Sequence, residues 1–177
     1  MPANLEIKTK ISSIEDAISK AKSIGATSKG KLHQIDIYFH SDFGRLKLRV
    51  INSIEAELIF YERNETKNYR RSQFFRYPAA DSNQLKVILE KAYRVKVIVE
   101  KQRILWLYKN IRIHIDNVKN LGLFLEFEIP IATSIQNAQE AMNSLTDHFH
   151  IKSTDYILCS YSDLIKNQSE FISKTDI

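Results

Sequence analysis

The feature that most constrains this chain is a period-two alternation of charged and apolar residues that recurs in segment after segment. In NLEIKTK, Asn4, Glu6, Lys8 and Lys10 share one side, while Leu5, Ile7 and Ile11 take most of the other. In GRLKLRV, Arg45, Lys47 and Arg49 oppose Leu46, Leu48 and Val50. In VIVEKQR, Val99, Lys101 and Arg103 fall together. In IRIHIDN, Arg112, His114 and Asp116 oppose three isoleucines, and in FLEFEIP, Phe124, Glu126 and Glu128 oppose Leu125, Phe127 and Ile129. Successive side chains of an extended backbone point to opposite sides, so each segment is a strand with one charged and one apolar face. The commonest cause of such a pattern is an antiparallel sheet with one solvated face. Here, however, signs are often uniform within a strand: Lys47 with Arg49, Lys101 with Arg103, Glu126 with Glu128. A solvated face usually mixes signs, because like charges two residues apart repel.

The remaining periodicity supplies covers for the apolar faces. SSIEDAISKAKSIGA reads as a helix capped by Ser12 or Ser13 and stopped at Gly25. DSNQLKVILEKAY starts at Asp81 or Ser82, and TSIQNAQEAMNSLTDHF at Thr133 or Ser134. A short last helix is expected from Ser162, followed by a polar tail. Strands are predicted over roughly 3–11, 31–40, 44–51, 54–63, 70–77, 94–108, 110–118 and 122–131. Helices need apolar surface to cover, and the strands offer it only if the sheet rolls up with its charged faces inward. Closure also removes both edges. The expected fold is therefore α+β: a closed eight-stranded antiparallel β-barrel with a polar, charged interior and helices packed outside. With four glycines, three prolines and no linker in 177 residues, one domain over 1–168 is expected, with 169–177 a polar tail.

No stretch approaches the ~18 apolar residues of a membrane span, and the N-terminus lacks the apolar core of a signal peptide. The expectation is a cytoplasmic protein without a membrane partner. Cys159 stands alone, which excludes an internal disulfide or a multi-cysteine zinc site. The net charge of +5 calls for an anionic partner, yet the cations are spread over inward faces, not gathered in one stripe, so nucleic acid is not expected. An interior dense in both signs is tolerable only if a ligand completes it. Carboxylates such as Glu6, Asp116, Glu126 and Glu128 suit Mg2+ or Mn2+. Lys8, Lys47, Arg49, Arg71, Lys101, Arg103 and Arg112 suit a polyphosphate.

Several segments, in order, resemble one family. NLEIK, QIDIYF, GRLKLRV, AELIFYERN, VEKQR, RIHID, NVKNLGLFLEFE and SYSDLI are similar to motifs of the CYTH superfamily, the triphosphate tunnel metalloenzymes, from about Asn4 to Ile165. The branch resembled most is that of class IV adenylate cyclases. The resemblance implies a helix-covered tunnel, with Glu6 and Lys8 at the second and third positions of an E-x-E-x-K motif whose first position here is Asn4. It implies metal ligation by Glu6, Asp116, Glu126 and Glu128, and phosphate binding by Lys8, Lys47, Arg49, Lys101, Arg103 and Arg112, with Arg63 carried on the YERN segment. Lys8, Asp116 and Arg112 would be catalytic. The implied activity is conversion of ATP to cyclic AMP and pyrophosphate by a monomer or homodimer. The alternatives are hydrolysis of thiamine triphosphate, a nucleoside triphosphate or tripolyphosphate, and non-catalytic binding of such a compound.

Other inward residues leave their roles open. Gln34 and Asp36 could position a metal or nucleophile, or pin arginine side chains. His114 could shuttle a proton, though a hydrogen-bonded structural histidine is the more ordinary reading; the other four histidines read as surface. Trp106, Tyr108 and Phe124 could stack on a purine, with core packing again more ordinary. Tyr161 and Asp163 are expected to tie the last helix to the tunnel mouth.

Overall fold

The computed structural model describes the backbone of residues 2–65, 70–132 and 134–175, and the side chains of these residues apart from 63–65 and 169–175. Eight strands form a closed barrel: β1 (Ala3–Lys10), β2 (Thr27–Phe39), β3 (Arg45–Ile51), β4 (Glu55–Glu65), β5 (Arg70–Pro78), β6 (Val95–Tyr108), β7 (Ile111–Val118) and β8 (Gly122–Pro130). Around the barrel the order is β1-β5-β4-β3-β2-β6-β7-β8, and β8 pairs back to β1. All neighbours are antiparallel, as expected for strands joined mostly by short turns. In the three-residue connection between β3 and β4, Asn52 and Ser53 are both at positive φ and the Ile54 N–H donates to the Ile51 carbonyl at 3.0 Å, a turn whose twist matches that of the strands. At Gly44 a Cβ would stand 2.6 Å from the Phe60 ring and 2.9 Å from the Tyr61 carbonyl, so that turn accepts glycine alone.

Helices α1 (Ile14–Ser23), α2 (Ser82–Tyr93) and α3 (Ile135–Phe149) lie outside the barrel. Their caps are Ser13, Asp81 and Ser134, each accepting a hydrogen bond from the backbone N–H three residues on, at 3.1, 2.9 and 3.1 Å. Under α1 and α3, Leu5, Ile7, Ile113, Ile115 and Phe127 of the barrel's outer face pack against Ala17, Ala21, Met142 and Phe149. Leu89 of α2 seals Ile37, Phe39 and Leu48 in a second outer cluster. Burying each such side chain contributes about 1.5–3 kcal/mol, so the apolar half of every strand stabilises closure of the charged half inside.

Two expectations need correction. Strand β2 begins at Thr27, four residues before the predicted 31, because a bulge between Ser28 and Lys31, with Gly30 at φ 92, lets the chain stay paired with β6. The last helix, α4, begins at Tyr161 and runs to Thr175, longer than a short helix followed by a tail. Leu164 and Ile165 anchor its first turns in an apolar cluster with Phe124, Val99 and Val118.

Candidate active site

The strand registers explain how an interior so rich in like-signed runs holds together. Several of the uniform charges along one strand meet opposite charges on the next, although Glu6 also faces Glu128 across the β1–β8 ladder. Arg103 stands opposite Asp116, Arg49 opposite Asp36, Lys8 opposite Glu126, Glu6 opposite Arg70 and Arg112 opposite Glu128. Cross-strand neighbours of opposite sign stabilise one another, whereas the same residues on an isolated strand repel.

Two carboxylates organise the cations. Asp36, 1% exposed, accepts from Lys101 Nζ at 2.8 Å, Lys47 Nζ at 3.0 Å, Arg49 Nε at 2.6 Å and Arg49 Nη2 at 2.9 Å. Burial would raise its pKa, but Arg49, Lys101 and Lys47 together hold it well below the usual range. Lys47 is itself pushed well below its ordinary value, by burial and by the Arg49 charge. Asp116, fully buried, takes both arms of Arg103 at 2.7 and 2.6 Å and the Tyr161 hydroxyl at 2.8 Å. Against the effect of burial, Arg103 depresses its pKa, while burial and Asp116 push the Tyr161 hydroxyl well up.

From Asp116, Arg103 reaches on to Glu126 Oε2 at 3.1 Å. There His114 Nδ1 lies 3.3 Å from Glu126 Oε2 and 3.7 Å from Glu128 Oε1. Burial raises the Glu126 carboxyl, but His114, Lys8 and Arg103 outweigh it and hold the group well below its ordinary value. Burial and the repulsion of Glu126 act upward on Glu128 as well, and there too His114 and the nearby arginines prevail and lower it.

One end of the barrel is closed. Tyr161 packs edge-on to Phe124 at 5.0 Å, and Lys8 Nζ lies 4.1 Å over the Tyr161 ring while donating to the Cys159 carbonyl at 3.1 Å. Arg70 donates to the Leu158 and Cys159 carbonyls at 3.1 Å each, and Arg45 pairs with Asp163 at 2.9 Å. The tie expected of Tyr161 and Asp163 is thus present, and Tyr161 plugs the interior. Towards the other end are two cavities, of about 60 and about 160 Å³, which share Arg49, Arg76 and Glu128 in their walls. The smaller is completed by Asn4, Glu6, Lys47, Ile59, Tyr61, Ser72 and Phe74, the larger by Leu32, Gln34, Ile51, Glu57, Arg103, Leu105, Arg112 and His114.

Most of the predicted cations therefore share one interior. Lys47, Arg49 and Lys101 converge on Asp36, and Arg103 on Asp116 and Glu126. Arg112, its side chain 39% exposed, stands at the open end beside Glu128, and Lys8 lies deep against the plug. Arg71 is different. It is exposed on the outer face, and its neighbour Arg70, 0% exposed, points inward with Ser72. The reason is the register that sets Arg70 opposite Glu6 and Ser72 opposite Asn4, which turns Arg71 out. The side chain of Arg63 lies outside the described residues.

Of the four predicted metal ligands, Glu126 and Glu128 come together, and His114 joins them, with one ligand atom from each lying within 4.8 Å of the others. Asp116 does not join, because Arg103 and Tyr161 engage its oxygens. Glu6 accepts from the Ser72 hydroxyl and stands outside the group. The trio suits a divalent cation. Its donors are two carboxylates and an imidazole nitrogen, and Glu128 Oε2 is buried without a hydrogen bond, with Arg112 Nη1 3.5 Å away. Arg70 and Arg76 were not predicted from the sequence, whereas Asp36, of the two roles left open for it, pins Arg49 together with Lys47 and Lys101. Trp106 and Tyr108 pack in the outer core and Phe124 against Tyr161, and none of the three lines either cavity.

The depressed carboxylates predict an acid limit to stability. Asp36, Asp116 and Glu126 titrate below their ordinary values of 3.8 for aspartate and 4.5 for glutamate in the folded protein. On acidification the unfolded chain takes up protons first, so their contribution is complete above about pH 5 and is lost as pH falls through and below 4.5. Thermal melts followed by circular dichroism should give a flat Tm from pH 7 to about 5 and a steep fall below. A Tm unchanged down to about pH 3 would contradict the ion-pair assignment.

Among curated proteins, no sequence match was found. Solved structures do align. A protein from Pyrococcus horikoshii superposes with a TM-score of 0.83 at 21% identity, covering 91% of this chain and 98% of its own. A candidate adenylate cyclase from Vibrio parahaemolyticus gives 0.77 at 17% identity, over 92% and 97%. A candidate adenylyl cyclase from Hippeastrum, described as having a dominant triphosphatase activity, gives 0.64 at 12% identity, over 94% and 96%. These likenesses concern the fold. Residues 3–161 match the sequence model of the CYTH domain. With that match spanning every strand of the charged barrel, the chain belongs to the CYTH domain family.

Proposed function

We propose that the protein is a divalent-metal-dependent enzyme acting on a nucleoside triphosphate, with an adenylate-cyclase-like reaction: the ribose 3′-hydroxyl of ATP attacks the α-phosphorus and pyrophosphate leaves. The observation that carries this reading is the convergence of Arg49, Arg76, Arg103 and Arg112 with His114 and Glu128 on the walls of these cavities, with Glu126 buried beside His114 and Glu128. Guanidinium forks match phosphate oxygens two at a time, and fixed cations in a site shielded from water stabilise charge that develops on a departing phosphate. Asp36 and Asp116 hold Lys47, Lys101, Arg49 and Arg103 in place before the substrate arrives, so little reorganisation is needed when it does. His114, Glu126 and Glu128 would hold the metal, which when bound polarises phosphoryl oxygens. In this reading Asp116 and Lys8 are positioning groups, Asp116 for Arg103 and Lys8 for the plug; Arg112 touches the phosphates.

A wall of Ile59, Tyr61 and Phe74 beside the cations favours an organic triphosphate over an inorganic one, because tripolyphosphate has no apolar part to bury there. The second reading is hydrolysis of a terminal phosphate, favoured by the triphosphatase activity described for the Hippeastrum relative. Incubation with ATP, thiamine triphosphate and tripolyphosphate in Mg2+ or Mn2+, with chromatographic resolution of products, decides between them. The expected products are cyclic AMP and pyrophosphate from ATP. Orthophosphate would move the assignment to a triphosphatase, and binding without turnover of any of the three would leave a non-catalytic triphosphate binder.

A further inference from the structure

We propose that His114 ligates the metal through Nδ1, and that this nitrogen makes the site favour a first-row transition ion over Mg2+. The inference rests on the metal and triphosphate reading above and deepens it by naming the class of ion.

His114 is 3% exposed and belongs to the inward face of β7, directly opposite Glu126 of β8. Its Nδ1 is 3.3 Å from Glu126 Oε2 and 3.7 Å from Glu128 Oε1. A divalent ion bonded at about 2.0–2.2 Å to nitrogen and oxygen donors holds adjacent ligand atoms roughly 3 Å apart. The spacings around Nδ1 are already close to that. Closing the group asks for small side-chain movements and no change of strand register. Nδ1 lies within hydrogen-bond distance of Glu126 Oε2; a bound ion would take the place of that contact, with the imidazole proton on Nε2. Glu128 Oε1 faces Nδ1, while its Oε2, buried without a hydrogen bond among the described residues, lies 3.5 Å from Arg112 Nη1 on the side of the larger cavity.

The donor set then decides the ion. Mg2+ is hard, favours oxygen and retains its waters, so an imidazole in its shell gives little. Borderline ions gain from nitrogen, and their affinity for a mixed site rises from Mn2+ through Co2+. Asp116, engaged through both oxygens by Arg103 and Tyr161, and Glu6, which accepts from Ser72, lie outside the group; Glu126 Oε2 also accepts from Arg103 at 3.1 Å, so an ion bound there would share or displace that one bond.

The test needs no substrate. Mn2+ is bound to the intact protein labelled with 15N at its five histidines, and nitrogen coupling to the ion is read by pulsed electron paramagnetic resonance. The expected result is a coupling that changes with the label and disappears in His114→Gln. In titrations, the preference for Co2+ over Mg2+ should fall about tenfold in the same variant. Mn2+ bound through oxygen alone, or an unchanged Co2+/Mg2+ ratio, would overturn the proposal. Absence of nitrogen coupling in the wild type overturns the proposal whether or not the variant folds, and a second variant, His114→Asn, keeps the assignment testable if the first does not fold. Oxygen-only binding with triphosphate turnover sinks the role of His114 and leaves the enzyme reading intact. Nitrogen coupling without turnover of any triphosphate does the reverse.

Discussion

Asp36→Asn is expected to be the most destabilising single polar substitution in the barrel. Asparagine has nearly the same shape and still offers one carbonyl oxygen, so the change removes charge more than volume. What remains is Lys47, Lys101 and Arg49, converging within 3.0 Å of a group that no longer balances them. Taking one partner from a buried ion pair costs about 3–5 kcal/mol, because the uncompensated charge stays in a poorly solvated place. For a domain of this size that corresponds to a fall in Tm of about 10 °C or more. The opposing effect is that fewer buried charges means less desolvation. Here the desolvation falls mainly on the cations, which the substitution leaves in place, so loss of the counter-charge wins. A polyanion should act on the variant more than on the wild type. Tripolyphosphate supplies the negative charge that the neutral amide lacks, and the rise in Tm on adding it should be larger for Asp36→Asn. A variant as stable as the wild type, with no larger response to tripolyphosphate, would remove Asp36 from the centre of the cation cluster.

The barrel was legible in the sequence because its two faces differ so sharply: Leu46, Leu48 and Val50 cannot be solvated along with three helices, and Lys47 and Arg49 cannot be buried without a closed polar interior. The resemblance to a tunnel family strengthened the same reading. What the alternation could not supply was register. In RRSQFFRYP both faces are mixed, Arg70, Ser72, Phe74 and Arg76 on one and Arg71, Gln73, Phe75 and Tyr77 on the other, so period two alone gives no reason to choose Arg70 over Arg71. The pairing of Asn4 with Ser72 and of Glu6 with Arg70 decides it, and that pairing is a long-range fact. Asp116 illustrates a second limit. A carboxylate between Arg112 and the end of β7 reads as a metal ligand until the β6–β7 ladder brings Arg103 opposite and α4 delivers Tyr161 from 45 residues away. His114 is the converse: an ordinary buried histidine along its own strand, but a neighbour of two glutamates once β8 is paired. For the closed end, SYSDLI gave the tie through Tyr161 and Asp163, but not that Tyr161 would reach inside to pack against Phe124 and donate to Asp116.

Glu126→Gln tests the chemistry as Asp36→Asn tests the scaffold. Glu126 is where the two networks meet: it accepts from Arg103 at 3.1 Å, faces His114 Nδ1 at 3.3 Å and stands opposite Lys8 in the β1–β8 ladder. Glutamine keeps a carbonyl acceptor for Arg103, and Asp116 still holds Nε and Nη2 of that guanidinium, so the barrel should stay folded with a loss of no more than about 1–3 kcal/mol. The metal fares worse. A neutral amide replaces one of two carboxylates in a three-ligand group, and the remaining ligands carry a single negative charge against a divalent ion set among arginines. Metal affinity should therefore drop, and at a fixed metal concentration kcat/KM should fall by about 10²–10³, the scale on which removal of one preorganised electrostatic element acts. Raising Mn2+ should recover part of that loss, which separates weakened metal binding from a damaged phosphate cradle: the cradle variant Arg49→Ala should not recover at any metal concentration. Circular dichroism on both variants establishes that the comparison is between folded proteins. Full metal-dependent turnover in Glu126→Gln would mean that the ion is held elsewhere on the inner wall, with Glu6 and Asn4 the nearest remaining oxygen donors in the smaller cavity.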